Sequence, residues 1–256
     1  MSAPERPVAL VTGVGRTVGI GAAIAVRLAA DGWDVGHAGW RPYDDRLDRG
    51  AGAGTTDEIS GLLAGEGARS FGIEADLADP ESAGILLGRT SSALGPIRAL
   101  VLAHCESVDS GLLETTLESF DRHFAVNARA SWLLIRAFGR AYEGPFGAGR
   151  IVALTSDHVV GNLPYGASKG ALDRIALAAA RELADRGITS NVVDPGPTDT
   201  GWMSRELERE VLEATPLHRL GRPEDAAALV SFLCSAEGGW INGQRLRSDG
   251  GIAAPG

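Results

Sequence analysis

Near its start the chain reads VALVTGVGRTVGIG over Val8–Gly21, a short apolar run followed by a glycine-rich turn. The apolar and β-branched residues of Val8–Thr12 predict a buried strand, and the pattern after them predicts a helix over Ile20–Asp31. Glycines between a first strand and its helix let the backbone approach a pyrophosphate at the helix N-terminus. Five residues separate Gly13 from Gly19, which departs from the usual dinucleotide spacing. The stretch therefore indicates either a nucleotide site or a glycine-rich turn without a ligand.

Short apolar runs and longer helical patterns alternate along the rest of the chain. Further strands are predicted at Asp34–Gly39, Ser70–Glu74, Ala99–Ala103, Ile151–Thr155, Thr189–Asp194 and Gln244–Ser248. Helices are predicted at Pro80–Leu94, Leu117–Tyr142, Tyr165–Arg186 and Pro223–Cys234. The polar, glycine-rich stretch Trp40–Thr56 predicts a mobile surface loop. This alternation is typical of an α/β protein with one doubly wound, Rossmann-type domain over residues 1–256, whose parallel sheet of about seven strands carries helices on both faces. Residues 195–220 would form a lid over the substrate.

The amino-acid composition excludes several classes of protein. The chain has 256 residues, of which 44% are hydrophobic and 22% charged, and its formal net charge is −9. These values exclude a disordered chain, and the presence of only two cysteines excludes a disulfide scaffold. The acidic balance argues against nucleic acid as a partner, and no uncharged apolar run approaches the roughly 20 residues of a membrane helix. The first residues lack the apolar segment of a signal peptide. We therefore expect a soluble cytoplasmic protein with no nucleic-acid or membrane partner.

A second motif consists of Tyr165 and Lys169, in the strongest helical pattern of the chain. A spacing of four residues places both side chains on one helix face. A nearby ammonium favours the phenolate, so a tyrosine whose pKa starts near ~10 could exchange a proton with a carbonyl or hydroxyl group near neutral pH. An isolated pair of this kind is usually ordinary surface packing. Here Ser156 follows the strand Ile151–Thr155 and could bind the same substrate oxygen, and Asn127 is a poor helix former in mid-helix. Together these residues favour a catalytic site.

These motifs resemble those of the short-chain dehydrogenase/reductase family, and the resemblance covers essentially the whole chain. The matching segments are the glycine turn, Asp76, Val126-Asn127, Ser156, Tyr165 with Lys169, Pro195-Gly196 through Thr200, and Asp249-Gly250-Gly251. The resemblance, in particular to 3-oxoacyl-acyl-carrier-protein reductases, implies a catalytic tetrad. In it Tyr165 is the general acid/base and Ser156 orients the carbonyl oxygen. Lys169 holds the nicotinamide ribose and lowers the tyrosine pKa, and Asn127 anchors a water of the proton relay.

The same resemblance implies a set of cofactor contacts. They are Gly13, Gly15, Arg16, Gly19, Ile20, Gly21, Arg41, Asp76, Leu77, Ala103, His104, Tyr165, Lys169, Pro195, Gly196, Thr198 and Thr200. Asp76 is expected at the adenine edge and Thr200 near the nicotinamide. An acidic residue after the second strand binds the ribose hydroxyls of NAD, whereas a basic residue accommodates the 2′-phosphate of NADP. The first carboxylate after that strand is Asp44, so Arg41 and Arg16 favour NADP(H) over NAD(H). The alternative is that both arginines are solvated surface residues.

Three features depart from the family pattern. The glycine turn is two residues longer than usual and resembles that of enoyl reductases. Those enzymes separate the tyrosine and lysine by six residues and this chain by three, which favours the ketone-reducing branch. Leu102–Cys105 replaces the family's Asn-Asn-Ala-Gly segment and alters the local cofactor contacts. Ser156 precedes Tyr165 by nine residues rather than about a dozen, so Asp157 or His158 could enter the site.

We therefore expect an NADP(H)-dependent oxidoreductase that interconverts a ketone and a secondary alcohol. Frequency within the family favours 3-oxoacyl thioesters on acyl carrier protein or coenzyme A, with a secondary-metabolite or sugar ketone as the alternative. A non-catalytic nucleotide-binding regulatory or scaffold protein is the alternative from a different class. The resemblance also implies a homotetramer built on the helices Leu117–Tyr142 and Tyr165–Arg186. His104 and Cys105 have no second pair at ligand spacing, so no metal site is expected.

Overall fold

The computed structural model describes residues 6–46 and 56–254 of the chain. Within these ranges the strands are β1 Val8–Thr12, β2 Asp34–Gly39, β3 Ser70–Glu74, β4 Ile97–Leu102, β5 Gly149–Leu154, β6 Ile188–Asp194 and β7 Arg245–Arg247. They form one parallel sheet in the order β3-β2-β1-β4-β5-β6-β7. This confirms the predicted Rossmann-type sheet. The direction of winding reverses between β1 and β4, which opens a crevice at the carboxyl ends of these strands.

The helices lie on both faces of the sheet. They are α1 Ile20–Ala30, α2 Arg41–Arg46, α3 Thr56–Gly65, α4 Ser82–Leu94, α5 Leu117–His123, α6 Ala130–Ala141, α7 Leu163–Glu182, α8 Arg205–Ala214 and α9 Pro223–Cys234. Neighbouring residues of β1 show how the sheet divides the core. Leu10 packs in one buried cluster with Leu134 and Phe138 of α6, whereas Val11 packs in the other with Leu28 of α1. Because successive strand side chains point to opposite faces, the buried strands contribute to both clusters.

The stretch predicted as the loop Trp40–Thr56 is partly helical, which corrects that prediction. α2 forms there because Pro42 suits a first helical turn and Arg41 lies 3.7 Å from Asp45, one turn further on. The remainder of the loop, residues 47–55, lies outside the described residues, as do residues 1–5 at the start. α3 was not predicted. It is held by Ile59 and Leu63, which are one turn apart and fully buried.

Two predicted long helices also differ from the structure. The helix predicted over Leu117–Tyr142 is interrupted by a π-helix, Phe124–Arg129, which separates α5 from α6 and contains Asn127. The helix predicted over Tyr165–Arg186 ends earlier, and a 3₁₀ turn and Gly187 follow it. Gly187 has a φ of 69°, the left-handed conformation that ends helices. None of the described helices combines the length and apolar character that a membrane crossing requires.

Candidate active site

The glycine turn packs directly against the end of β4. Gly13 has a φ of 78°, in the left-handed region that favours glycine. A Cβ at Gly13 would lie 2.5 Å from the Ala103 carbonyl group and the His104 amide nitrogen, and one at Gly21 would lie 2.4 Å from the Gly13 carbonyl oxygen. Close packing therefore requires both glycines. The turn leads into α1, where the N-cap Gly19 offers no side chain to the first amide groups. This arrangement suits a phosphate group.

A cleft lies beside this turn, at the carboxyl edge of the sheet. Its lining includes eight residues that the sequence predicts as cofactor contacts, namely Gly13, Gly15, Arg16, Gly19, Asp76, Leu77, Ala103 and His104. It also includes residues that sequence reasoning missed, among them Tyr43, Asp44, Glu106 and Arg122. A cleft formed by a glycine turn, a helix N-terminus and the ends of parallel strands fits a dinucleotide.

The predicted contacts after β6 adjoin the glycine turn. The Arg16 guanidinium donates a 2.7 Å hydrogen bond to the carbonyl oxygen of Thr200, which joins the turn to this segment. Thr198 is buried, and its hydroxyl lies 3.2 Å from the carbonyl oxygens of both Pro195 and Gly196. The Thr198 side chain thus bonds back to the start of this segment, and Thr200 at its end contacts the glycine turn.

The predicted contacts Arg41 and Ile20 also lie outside the lining of this cleft, as do Gly21, Tyr165 and Lys169. Arg41 is exposed on α2 and lines a neighbouring pocket together with Thr56, Asp57 and Glu74. Ile20 begins α1 and packs its side chain against the core. Its contribution to a ligand would therefore come from the backbone.

Alternating charges form one wall of the cleft. Arg122 of α5 makes two hydrogen bonds with the Asp76 carboxylate, of 2.9 and 3.0 Å, and approaches Glu106 at 3.4 Å. Arg46 of α2 also pairs with Glu106, whose side chain is only 4% exposed. Burial would raise the pKa of Asp76, but the hydrogen bonds and charge of Arg122 hold it below its usual value. The predicted adenine contact of Asp76 thus belongs to an ion-pair network.

Asn127 is fully buried in the π-helix and connects two parts of the site. Its Nδ2 donates to the Glu106 carbonyl oxygen at 2.9 Å and to Ser168 Oγ at 2.8 Å. Its Oδ1 accepts a 2.7 Å hydrogen bond from the Glu106 amide. Ser168 in turn donates to the Tyr165 carbonyl oxygen at 2.8 Å. Asn127 therefore ties the segment after β4 to the first turns of α7. Its role as the anchor of a relay water stays a prediction.

Tyr165 and Lys169 lie one turn apart on α7. Lys169 is buried, and its Nζ lies 5.8 Å from the centre of the Tyr165 ring and donates a 2.7 Å hydrogen bond to the Leu154 carbonyl oxygen. The Ser156 side chain lies close enough to the Tyr165 hydroxyl to lower its pKa. The Ser156 Oγ also accepts a 3.1 Å hydrogen bond from the His158 amide. The shortened loop thus still brings Ser156 to the tyrosine.

The electrostatic environment of Tyr165 differs from the sequence-based expectation. Burial raises the pKa of Tyr165 above its ordinary value, and Cys105 and Asp194 act in the same direction, whereas the nearby Ser156 hydroxyl lowers it. The expected lowering by Lys169 is not found. The Lys169 ammonium donates its hydrogen bond to the Leu154 carbonyl oxygen and not to the tyrosine, whereas the loss of hydration on burial destabilises the Tyr165 phenolate directly. Tyr165 is therefore protonated at neutral pH.

Comparison with known proteins gives matches over nearly the whole chain. Residues 13–253 match a family described as Enoyl-(Acyl carrier protein) reductase. The chain is 33% identical to the uncharacterized oxidoreductase YjdA of Bacillus subtilis, over 98% of this chain and 99% of that protein. It is 33% identical to a short-chain type dehydrogenase/reductase of Picea abies, over 95% and 91%. It is 31% identical to an NADPH-dependent aldehyde reductase-like chloroplastic protein of Arabidopsis thaliana, over 95% and 93%.

Two solved structures share the architecture. A blue fluorescent protein from a metagenomic library, in complex with NADPH, is 35% identical and superposes with a TM-score of 0.85, over 97% of this chain and 98% of that one. A 3-oxoacyl-[acyl-carrier protein] reductase from Brucella melitensis is 26% identical and superposes with a TM-score of 0.86, over 99% and 100%.

Proposed function

Because the chain belongs to the short-chain dehydrogenase/reductase family of oxidoreductases, we propose that it transfers a hydride between NADP(H) and a ketone or secondary alcohol. The proposed catalytic residues are Asn127, Ser156, Tyr165 and Lys169. The observation that carries this proposal is the buried Lys169 ammonium 5.8 Å from the centre of the Tyr165 ring, with Ser156 near enough to the tyrosine to lower its pKa. Two adjacent hydroxyl groups can bind one carbonyl oxygen from the same side.

The chain's own residues supply orientation and a proton. When bound, the reduced cofactor provides the hydride. Tyr165 donates a proton to the carbonyl oxygen as negative charge develops there, because its raised pKa keeps the phenol protonated. The Ser156 hydroxyl donates to the same oxygen and fixes its position. Lys169 uses one of its three N–H donors on Leu154 and keeps the others for ribose hydroxyls. Asn127 holds α7 in place, which preserves the geometry of the tyrosine and lysine.

NADP(H) is the proposed cofactor and NAD(H) the alternative. The metagenomic relative is in complex with NADPH, and the Arabidopsis relative is named NADPH-dependent. Arg41 supports this choice because its only short-range ion-pair partner among the described residues, Asp45, is as exposed as Arg41 itself. A 2′-phosphate can compete for such a guanidinium. Asp44 favours NAD(H) instead, since its carboxylate lies 2.6 Å from where a Cβ of Gly15 would be, inside the cleft.

The proposed substrate is a 3-oxoacyl thioester on acyl carrier protein or coenzyme A. The Brucella relative supports this class, since it is named for that reaction. Trp202 and Leu217, in the predicted lid 195–220, are 46% and 66% exposed and offer apolar surface to an acyl chain. A secondary-metabolite or sugar ketone is the alternative. Membership of an oxidoreductase family and the presence of all four tetrad residues argue against the regulatory or scaffold alternative.

We propose a homotetramer in the cytoplasm. Leu117 of α5 and Trp132 of α6 are 76% and 47% exposed, as expected where helices pack against another subunit. Cys105 and Cys234 are both free, which supports a reducing compartment. Light scattering on the protein as it elutes from a size-exclusion column would measure the number of subunits.

The proposed activity is tested by measuring the oxidation of NADPH and of NADH in the presence of each ketone of a panel that includes a 3-oxoacyl thioester. Absorbance of the reduced nicotinamide is followed, with Tyr165→Phe as the control. We expect turnover with NADPH that the control loses, because phenylalanine cannot donate a proton. Failure of the wild-type chain to bind either nucleotide would refute the proposal. Turnover that survives in the control would refute the role of Tyr165.

A further inference from the structure

His104 lies between the glycine turn and the π-helix, within the segment Leu102–Cys105 that departs from the family pattern. The side chain is 6% exposed. Its Nδ1 lies 2.6 Å from Thr12 Oγ1. Its Nε2 lies 3.1 Å from the Val126 carbonyl oxygen and 3.2 Å from Ser131 Oγ. Both ring nitrogens therefore have partners, and the partners belong to different elements.

These partners determine the tautomer of His104. A carbonyl oxygen only accepts, so Nε2 carries the hydrogen and Nδ1 accepts a hydrogen bond from the Thr12 hydroxyl. Burial, with the positive charge of Lys169, lowers the pKa of His104 to about 3. The imidazole is therefore neutral near neutral pH, with an acceptor for Thr12 and a donor that faces both Val126 and Ser131.

The partners of the two ring nitrogens lead to different parts of the proposed active site. Thr12 is followed by Gly13, whose backbone packs so closely on the His104 amide that a Cβ there would lie 2.5 Å away. Val126 is followed by Asn127, and Ser131 donates a 2.8 Å hydrogen bond to the Asn127 carbonyl oxygen. A single buried side chain thus connects the cofactor turn with the π-helix that carries the catalytic asparagine.

We propose that His104 is a positioning residue that fixes the glycine turn and the Asn127-bearing π-helix relative to each other. This inference rests on the proposed function. The Nε2 side of the ring holds Val126 and so places Asn127, on which turnover depends. The Nδ1 side holds Thr12 and so places the turn, on which cofactor binding depends. The two nitrogens therefore act on two different kinetic quantities.

Two substitutions separate these contacts. The amide of His104→Asn lies near the former Nδ1 and retains the acceptor for Thr12, whereas the longer His104→Gln places its NH₂ near the former Nε2 and retains the donor to Val126. We expect His104→Asn to lower kcat by about tenfold with little change in the Kd of NADPH. We expect His104→Gln to weaken NADPH binding by about tenfold and keep kcat within about threefold of wild type. His104→Ala should show both losses.

Hydrogen exchange of the chain without cofactor supplies a readout that does not depend on activity. Amides of residues 124–131 should exchange faster in His104→Asn and His104→Ala than in wild type, and at nearly the wild-type rate in His104→Gln. The control is His37→Gln. His37 of β2 is also a buried histidine, but its side chain contacts Ser60 of α3. His37→Gln should not lower kcat without weakening NADPH binding, or weaken NADPH binding without lowering kcat.

Equal effects of the asparagine and glutamine variants on kcat, Kd and exchange would overturn the inference, as would wild-type behaviour of His104→Ala. If the wild-type chain shows no ketone reduction, the proposed function fails. The exchange comparison then still decides whether His104 positions the π-helix.

Discussion

Replacing Arg122 by glutamine would remove the cation between two carboxylates in the cleft wall. Breaking a buried ion pair typically costs about 3–5 kcal/mol, because one charge remains uncompensated. Here the side chains of Arg122 and Asp76 are 27% and 29% exposed, and Arg46 still pairs with Glu106. We therefore expect the free energy of unfolding to fall by roughly 2 kcal/mol. For a chain of this length, that change lowers Tm by about 4–8 °C.

Calorimetry and urea unfolding would measure this loss. The matched control is Arg27→Gln, which breaks an exposed pair with Asp31 at 2.8 Å and should cost less than about 0.5 kcal/mol. Adding Asp76→Asn to Arg122→Gln should recover part of the stability, because the carboxylate that lost its main partner is then removed, whereas Glu106 still has Arg46. If Arg122→Gln were no more destabilising than Arg27→Gln, the network would contribute nothing measurable and the reasoning would be refuted.

The same substitution changes the pH dependence of stability. Because Arg122 holds the folded-state pKa of Asp76 below its usual value, the contribution of Asp76 is present above the ordinary carboxyl pKa. It is lost as the pH falls through the lowered folded-state pKa. Arg122→Gln should therefore flatten the acid limb of the stability curve, and an unchanged acid limb would contradict the assigned cause.

The raised pKa of Tyr165 predicts that the rate of ketone reduction stays constant from about pH 6 to pH 9, while alcohol oxidation, which needs the phenolate, rises with pH. Initial rates in both directions would show this, and a reduction rate that falls near neutral pH would contradict it. Arg41→Glu should weaken NADPH binding by about tenfold or more and change NADH binding little, since it places a carboxylate beside the 2′-phosphate. Fluorescence titration would measure both affinities, and equal losses would exclude Arg41 as the determinant. Gly13→Ala should lower stability and NADPH affinity by about 1–3 kcal/mol, because the new Cβ would meet the Ala103 carbonyl at 2.5 Å. Gly61→Ala is its control, since a Cβ there meets nothing within 4 Å and should stabilise α3 slightly.

The strands and the tyrosine–lysine pair could be predicted because each depends on a pattern that is local in sequence. The run Val8–Thr12 is buried along its whole length, as a central parallel strand must be. The spacing of Tyr165 and Lys169 needs only a regular helix to bring them together. The carboxyl edge of the sheet could be predicted too, because it follows from the direction of parallel strands.

Other features could not be predicted because they depend on contacts between distant segments. The ion-pair network joins Asp76, Glu106, Arg122 and Arg46, which come from different elements and share no local pattern. The π-helix at Phe124–Arg129 has an apolar pattern that also suits an α-helix, so its boundaries are invisible in sequence. The direction of the Tyr165 pKa shift depends on burial, which the spacing of two residues does not reveal.

Glu106 has a consequence for the redesign of cofactor choice. Its backbone holds the amide of Asn127, while its carboxylate holds Arg46 at the end of α2. α2 also begins with Arg41, the residue that an engineer would exchange first. Grafting a complete α2 from an NAD-dependent enzyme would therefore disturb Asn127, the proposed catalytic asparagine, as well as the proposed nucleotide pocket, whereas a graft that retains Arg46 would not. In this chain, nucleotide preference and turnover cannot be tuned independently unless that arginine is kept.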